Sequence, residues 1–236
     1  MNAAASKTII LPTALFVLVI SVISAWDIDL RLADCLFALE GSQWSLKNAW
    51  LTKELIHEQG RSLIGVILLS LLTCIVLSYR IERLRAVRQG LYYLLVSALI
   101  SVAIVNLLKA ITGVDCPWDL SRYGGTQSYV PLLTALPEGQ RAGACFPAGH
   151  ASGAYCWIGI FFVAGLYRPR WRYHALAAVL SLGFIFGTAQ QLRGAHFLSH
   201  DIWTLYICWM SACFCYYYIF RLHQSAHCPN KLAGEN

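Results

Sequence analysis

Charge is scarce in this chain. Asp, Glu, Lys and Arg fill 13% of its 236 positions, against about 25% in an ordinary soluble domain. With 58% of the residues hydrophobic, a water-soluble globule is excluded. Fixed-period repeats, low-complexity tracts and Pro/Gly/Ser linkers are also missing, so residues 1–236 read as one unit. No surface interleaves basic and aromatic residues, which argues against nucleic acid as a partner.

What the chain has instead is long apolar runs. About 20 residues at 1.5 Å rise cross the hydrocarbon core of a bilayer, and such runs with almost no charge read as spanning helices. Six are present, at 8–26, 62–79, 91–108, 151–167, 174–192 and 202–220. The expected fold is therefore all-α, a polytopic bundle of six membrane helices. The first run exceeds the roughly 7 to 15 apolar residues of a signal peptide and lacks a clean small-x-small site after it, so it is expected to be retained.

Lysine and arginine set the orientation, because cytoplasmic loops hold the excess. Arg80, Arg83, Arg85 and Arg88 crowd the second connection, and Arg168, Arg170 and Arg172 the fourth; Lys7 opens the chain, and Arg221 and Lys231 follow the last run. These segments alternate correctly with six crossings, which puts both termini in the cytoplasm and the loops 27–61, 109–150 and 193–201 outside. The net charge of +6 is then mostly a topology signal. The loop 27–61, with Leu36, Phe37, Trp44, Trp50 and Leu55 among charges, suits one or two short interfacial helices.

Nine cysteines divide by compartment. Cys74, Cys156, Cys208, Cys213 and Cys215 fall in spans and Cys228 in the cytoplasm, where free cysteine packs as a small apolar residue. Cys35, Cys116 and Cys145 lie outside. The last two share one loop and are the candidate disulfide. Gly183 and Gly187 form a small-xxx-small pair on the fifth run, a packing feature.

Ionisable groups at membrane depth are costly, and here they gather on one side. Lys109 ends the third run, His150 begins the fourth, and Arg193, His196, His200 and Asp201 lie between the fifth and sixth. Each alone has a bland reading, a snorkelling lysine or a satisfied polar residue; three junctions supplying one face do not.

Phosphate chemistry accounts for the set. A phosphoryl group needs cations and directed donors on its oxygens, and the helix start at Ala148 and Gly149 adds exposed amides. One histidine, with its tautomer fixed by a neighbour, serves as nucleophile, and a second protonates the leaving oxygen. Two rivals stay open: zinc on His196, His200 and a third ligand, which explains Lys109 and Arg193 poorly, and an anion transporter, for which the spans carry few polar residues beyond Asn106, Gln190 and Gln191.

With these residues in place, the stretch over about residues 100 to 210 resembles the type 2 phosphatidic acid phosphatase superfamily. The first motif of that family, Lys, six residues, Arg-Pro, reads KAITGVDCP here, with Cys116 at the arginine. The second, Pro-Ser-Gly-His, reads PAGH. The third, Ser-Arg, five residues, His, three residues, Asp, aligns with AQQLRGAHFLSHD, where Gln190 takes the arginine position and His200 the aspartate position.

The resemblance implies a metal-independent lipid phosphatase without a cofactor, in the inner (cytoplasmic) membrane of a bacterium, with its site facing the periplasm. It implies His196 as the nucleophile that becomes phosphohistidine, His150 as the acid and Lys109 as a phosphate ligand. Arg193, Asp201 and Arg122 stand as replacements for the missing family residues; Asp119 is the expected partner of Arg122. The implied substrate is a lipid-linked phosphate or diphosphate, with undecaprenyl diphosphate favoured over phosphatidic acid, phosphatidylglycerol phosphate and lipid A. A phosphotransferase and a phosphate-lipid binder without turnover are the nearest alternatives.

Overall fold

In hydrocarbon every backbone N–H and C=O must find its partner within the chain, so apolar runs of this length can only be helices or a closed barrel. The computed structural model, which describes residues 3–132, 134, 143–220 and 222, is all-α, with no β-strand among them. Arg221, Lys231 and Cys228 lie outside the described residues. Among the described residues, six helical segments are long and apolar enough to cross a membrane: Lys7–Ala25, Trp50–Leu77, Arg88–Ile111, Gly149–Tyr167, Pro169–Leu192 and Leu198–Ile219. The chain is a multi-pass membrane protein.

Helix α1 (Ala3–Ala25) carries Pro12 in its interior, where the missing N–H leaves the carbonyl four residues back without its helical donor. That carbonyl, of Thr8, accepts the indole N–H of Trp209 at 2.9 Å. The same face stacks Phe16 on Tyr206, with ring centroids 3.9 Å apart. A defect in one helix is thus the fastening point for α9 (Leu198–Phe214).

Helix α2 (Ile28–Leu39) lies in the expected loop 27–61. Its Asp29 carboxylate accepts the Ser199 amide at 2.9 Å, at the start of α9, where the helix dipole favours an anion. The rest of that loop differs from expectation. Residues from Trp50 onward already belong to the second span: Trp50–Gln59 are wound as a π-helix that runs straight into α3 (Gly60–Leu77). Hydropathy stops at Arg61 because the preceding turns are polar, but Lys53, Glu54, Glu58 and Gln59 are good helix formers and the backbone does not stop with them.

A short α4 (Glu82–Arg85) turns the chain into α5 (Arg88–Ile111). The fourth span is α6 (Gly149–Tyr155), a 3₁₀ turn at Cys156–Gly159 and α7 (Ile160–Tyr167); α8 (Arg172–Leu192) returns toward the start of α6. Helix α6 packs against α8 and α9, and α5 against α9. The small pair behaves as packing: a β-carbon on Gly183 would run into the Tyr155 ring, and one on Gly187 would meet the Asp201 carboxyl at 2.7 Å. By this course the turns carrying Arg80 to Arg88 and Arg168 to Arg172 sit at one end of the bundle. The ends of α5, α6, α8 and α9 that bear Lys109, His150, Leu192 and His200 sit at the other.

Candidate active site

At that second end the chain forms an open cavity of about 520 Å³ whose wall includes His57, Arg61, Lys109, His150, Gln190 and His196. Lys109 comes from the last turn of α5. Its Nζ lies against the α-carbon of Gly149, where a β-carbon would approach it to 3.1 Å. His150 follows on α6. Its Nε2 donates to the Ile56 carbonyl at 3.3 Å, the only role a carbonyl allows it. Its ring stacks on Phe186 of α8 with centroids 4.4 Å apart and planes at 26°. Phe186 fits there because residue 60 is glycine: a β-carbon would come within 2.8 Å of the phenyl ring.

His196 reaches the wall from the turn between α8 and α9. That turn passes through Gly194 at φ +67°, a left-handed conformation that favours glycine, and a β-carbon there would lie 2.5 Å from the Trp44 indole. His200, one helical turn on, is buried behind His196 with its Nδ1 3.5 Å from Nδ1 of His196. The Cys145 carbonyl lies close to both rings and favours their protonation, against the larger effect of burial. Burial, and then the neighbouring His200 and Lys109, hold the His196 imidazole well below the usual histidine range. The site thus favours the neutral ring over the imidazolium.

The connecting loops are fixed from several sides. Thr204 donates to the carbonyls of His200 at 2.8 Å and Ala148 at 3.3 Å. Thr112 donates to the Phe146 carbonyl at 3.0 Å, and the Cys145 amide to the Val114 carbonyl at 2.9 Å. Cys116 and Cys145 are disulfide-bonded, with Cα atoms 5.2 Å apart, and both line the cavity.

Several residues singled out in the sequence lie elsewhere. Arg193 is buried outside the lining; its Nε donates to the Lys47 carbonyl at 2.9 Å and its Nη1 to Gln190 Oε1 at 3.3 Å. Asp201 is turned to α8, where its Oδ2 accepts the Gln191 amide at 2.6 Å over Gly187. It is thus His200, at the family's aspartate position, that touches His196.

The Ala148 amide faces the His200 carbonyl at 3.4 Å, leaving Gly149 as the member of that pair on the wall. Arg122 is not on the wall either, and its partner is Asp34 rather than Asp119. The guanidinium forks onto that carboxylate, with Nε 2.7 Å from Oδ1, and holds it below the usual carboxylate range.

Two wall residues were missed, His57 and Arg61. Their spacing of four on a segment running into an apolar helix was the available signal, hidden by reading that segment as loop. Among the described residues, no third histidine, cysteine or carboxylate joins His196 and His200 in a metal-ligand cluster.

No curated protein and no solved structure matches the chain. The family model described as PAP2 superfamily matches residues 90–224, more than half of its length, and takes in Lys109, His150 and His196. Six apolar spans, a cavity walled by a lysine and histidines, and this match agree: the chain belongs to the PAP2 superfamily and is a membrane-embedded member of that family of phosphatases.

Proposed function

We propose that the chain removes phosphate from a lipid-linked phosphate or diphosphate through a phosphohistidine on His196, with an isoprenoid diphosphate such as undecaprenyl diphosphate as the favoured substrate. The observation that carries this reading is that Lys109, His150 and His196, from three separate parts of the chain, line one cavity at one end of a membrane bundle.

His196 keeps its proton on Nδ1, toward His200, and Nε2 attacks phosphorus in line as the bond to the lipid oxygen breaks. Because Nε2 of His150 donates to the Ile56 carbonyl, Nδ1 is the nitrogen left for the leaving oxygen; the ring takes up a second proton there from solvent as the anionic phosphate binds, and the imidazolium gives that proton to the leaving oxygen. Water then attacks the phosphohistidine, His150 takes back a proton, and inorganic phosphate leaves. Lys109 and the Gly149 amide neutralise the phosphoryl oxygens throughout. A cavity of about 520 Å³ has room for a headgroup larger than one phosphate.

The arginine-rich turns lie at the opposite end of the bundle from the cavity. Under the positive-inside rule they are cytoplasmic, which turns the site to the periplasmic face of a bacterial inner membrane, with both termini inside. The whole of residues 1–236 then acts as one membrane-embedded unit.

The test is phosphate release from a panel of lipid phosphates and diphosphates by the purified protein, with and without a chelator. Release that survives the chelator and is lost in His196→Ala and His150→Ala is expected. Full activity in His196→Ala would remove the mechanism.

A further inference from the structure

Cys116 and Gln190 occupy the two positions at which the family pattern keeps arginine, and both line the cavity. The wall therefore carries a disulfide and an amide where two guanidinium groups are expected. Lys109 by itself places one positive charge against a dianionic phosphoryl group, too little for a site that works by charge stabilisation. A second cation is nonetheless present. Arg61, in the first turn of α3, lines the same cavity and lies within electrostatic reach of His57 and His150; Arg193 also lies within that reach, but it is outside the lining and its guanidinium is committed to the Lys47 carbonyl and Gln190. It stands outside residues 90–224, the portion that matches the family model.

The neighbouring hydrogen bonds show how Gln190 is used. A guanidinium only donates, so Arg193 Nη1 at 3.3 Å fixes Oε1 of Gln190 as the acceptor. The amide nitrogen then faces His57 Nδ1, 3.0 Å away, and donates to it. His57 is thereby held in the tautomer with its proton on Nε2, and its ring lies beside that of His150, with centroids 4.5 Å apart. The position that lost the arginine now orients a histidine from the same helical segment as Arg61.

We infer that Arg61 is the phosphate-binding guanidinium of this enzyme, with the His57 N–H as a second donor. The anion-binding function of the two absent family arginines has moved to the amino-terminal part of the second span. This assignment rests on the phosphatase reading of the cavity. It also gives the π-helical Trp50–Gln59 segment a purpose: that extension of the span carries His57 to the cavity wall, four residues before Arg61.

The test uses the full-length protein in detergent, with orthovanadate and inorganic phosphate as probes in titration calorimetry, and lipid-phosphate turnover alongside. Arg61→Ala is expected to weaken vanadate binding by about tenfold or more, with Arg61→Lys between it and wild type. His57→Ala is expected to weaken binding severalfold. Added guanidinium ion should restore part of the turnover of Arg61→Ala, and Arg80→Ala, a charge removed at the opposite end, should bind as wild type.

Thermal melting verifies the fold of each variant, and Arg61→Lys carries the test if Arg61→Ala does not melt cooperatively. Wild-type vanadate affinity in the folded Arg61 variants overturns the inference while leaving the phosphatase reading standing. A wild-type protein that neither binds vanadate nor releases phosphate from any lipid overturns both.

Discussion

The ammonium nitrogen of Lys109 rests against the α-carbon of Gly149, so that a β-carbon at 149 would stand 3.1 Å from it. Residue 149 is small because a cation needs that space. Gly149→Ala should displace the ammonium by a few tenths of an ångström and lower kcat/KM about tenfold or more, since small misplacements of a charge-stabilising group are costly. Its melting temperature should stay close to wild type, as alanine suits a helix start better than glycine. Kinetics and melting on the same preparation check both halves.

His196 predicts a dependence of stability on pH. Its folded-state proton affinity is held down by burial first, so the unfolded chain binds more protons as pH drops below the ordinary histidine value of about 6.5. The stability due to the neutral ring is thus fully present above about pH 6.5 and declines on acidification, by at most about 1.4 kcal/mol per pH unit for one proton. Melting from pH 8 to pH 5 should show this slope. His196→Gln should lessen the slope by about one proton's share; an equal slope in both proteins would assign the effect to other groups.

The disulfide between Cys116 and Cys145 closes a loop with a sequence separation of 29, which in the chain-entropy account is worth about 3 to 4 kcal/mol. It also fixes Cys145, whose carbonyl lies beside the rings of both His196 and His200. Reductant, or the Cys116→Ser/Cys145→Ser double variant, should therefore lower the melting temperature and reduce kcat more than it raises KM. Steady-state kinetics with and without reductant, on wild type and double variant, measure the effect.

Arg122 supplies a contrast. It pairs with Asp34 at a half-exposed site away from the cavity wall, and such pairs contribute less than about 1 kcal/mol. Arg122→Ala should loosen the docking of α2 slightly and leave vanadate affinity within about twofold of wild type. A tenfold loss would return Arg122 to the substrate site.

The six spans were legible in the sequence because hydrocarbon leaves helices few competitors, and Lys109, His150 and His196 because each abuts an apolar run. Arg193 shows what was not. A helical offset of three residues allowed its guanidinium to aim at the cavity, but the carbonyl of Lys47, 146 positions earlier, accepts its Nε–H. Arg122 repeats the lesson, bonded to Asp34 at a separation of 88 rather than to Asp119 nearby. Local spacing fixes azimuth; long-range acceptors choose among azimuths. His57 and Arg61 were hidden for another reason: hydropathy marks where a helix enters lipid, not where it begins.

The helix that supplies those two residues, Trp50–Leu77, also measures the membrane. At 1.5 Å per residue, His57 stands about 30 Å along the axis from Leu77, the thickness of a typical hydrocarbon core. In a thicker leaflet the pair would sink below the headgroups and lose hydration; in a thinner one it would rise above the phosphate plane. The span is a ruler whose far mark is the cavity wall, so acyl-chain length in the surrounding bilayer becomes a control on the depth at which that wall stands relative to the headgroups.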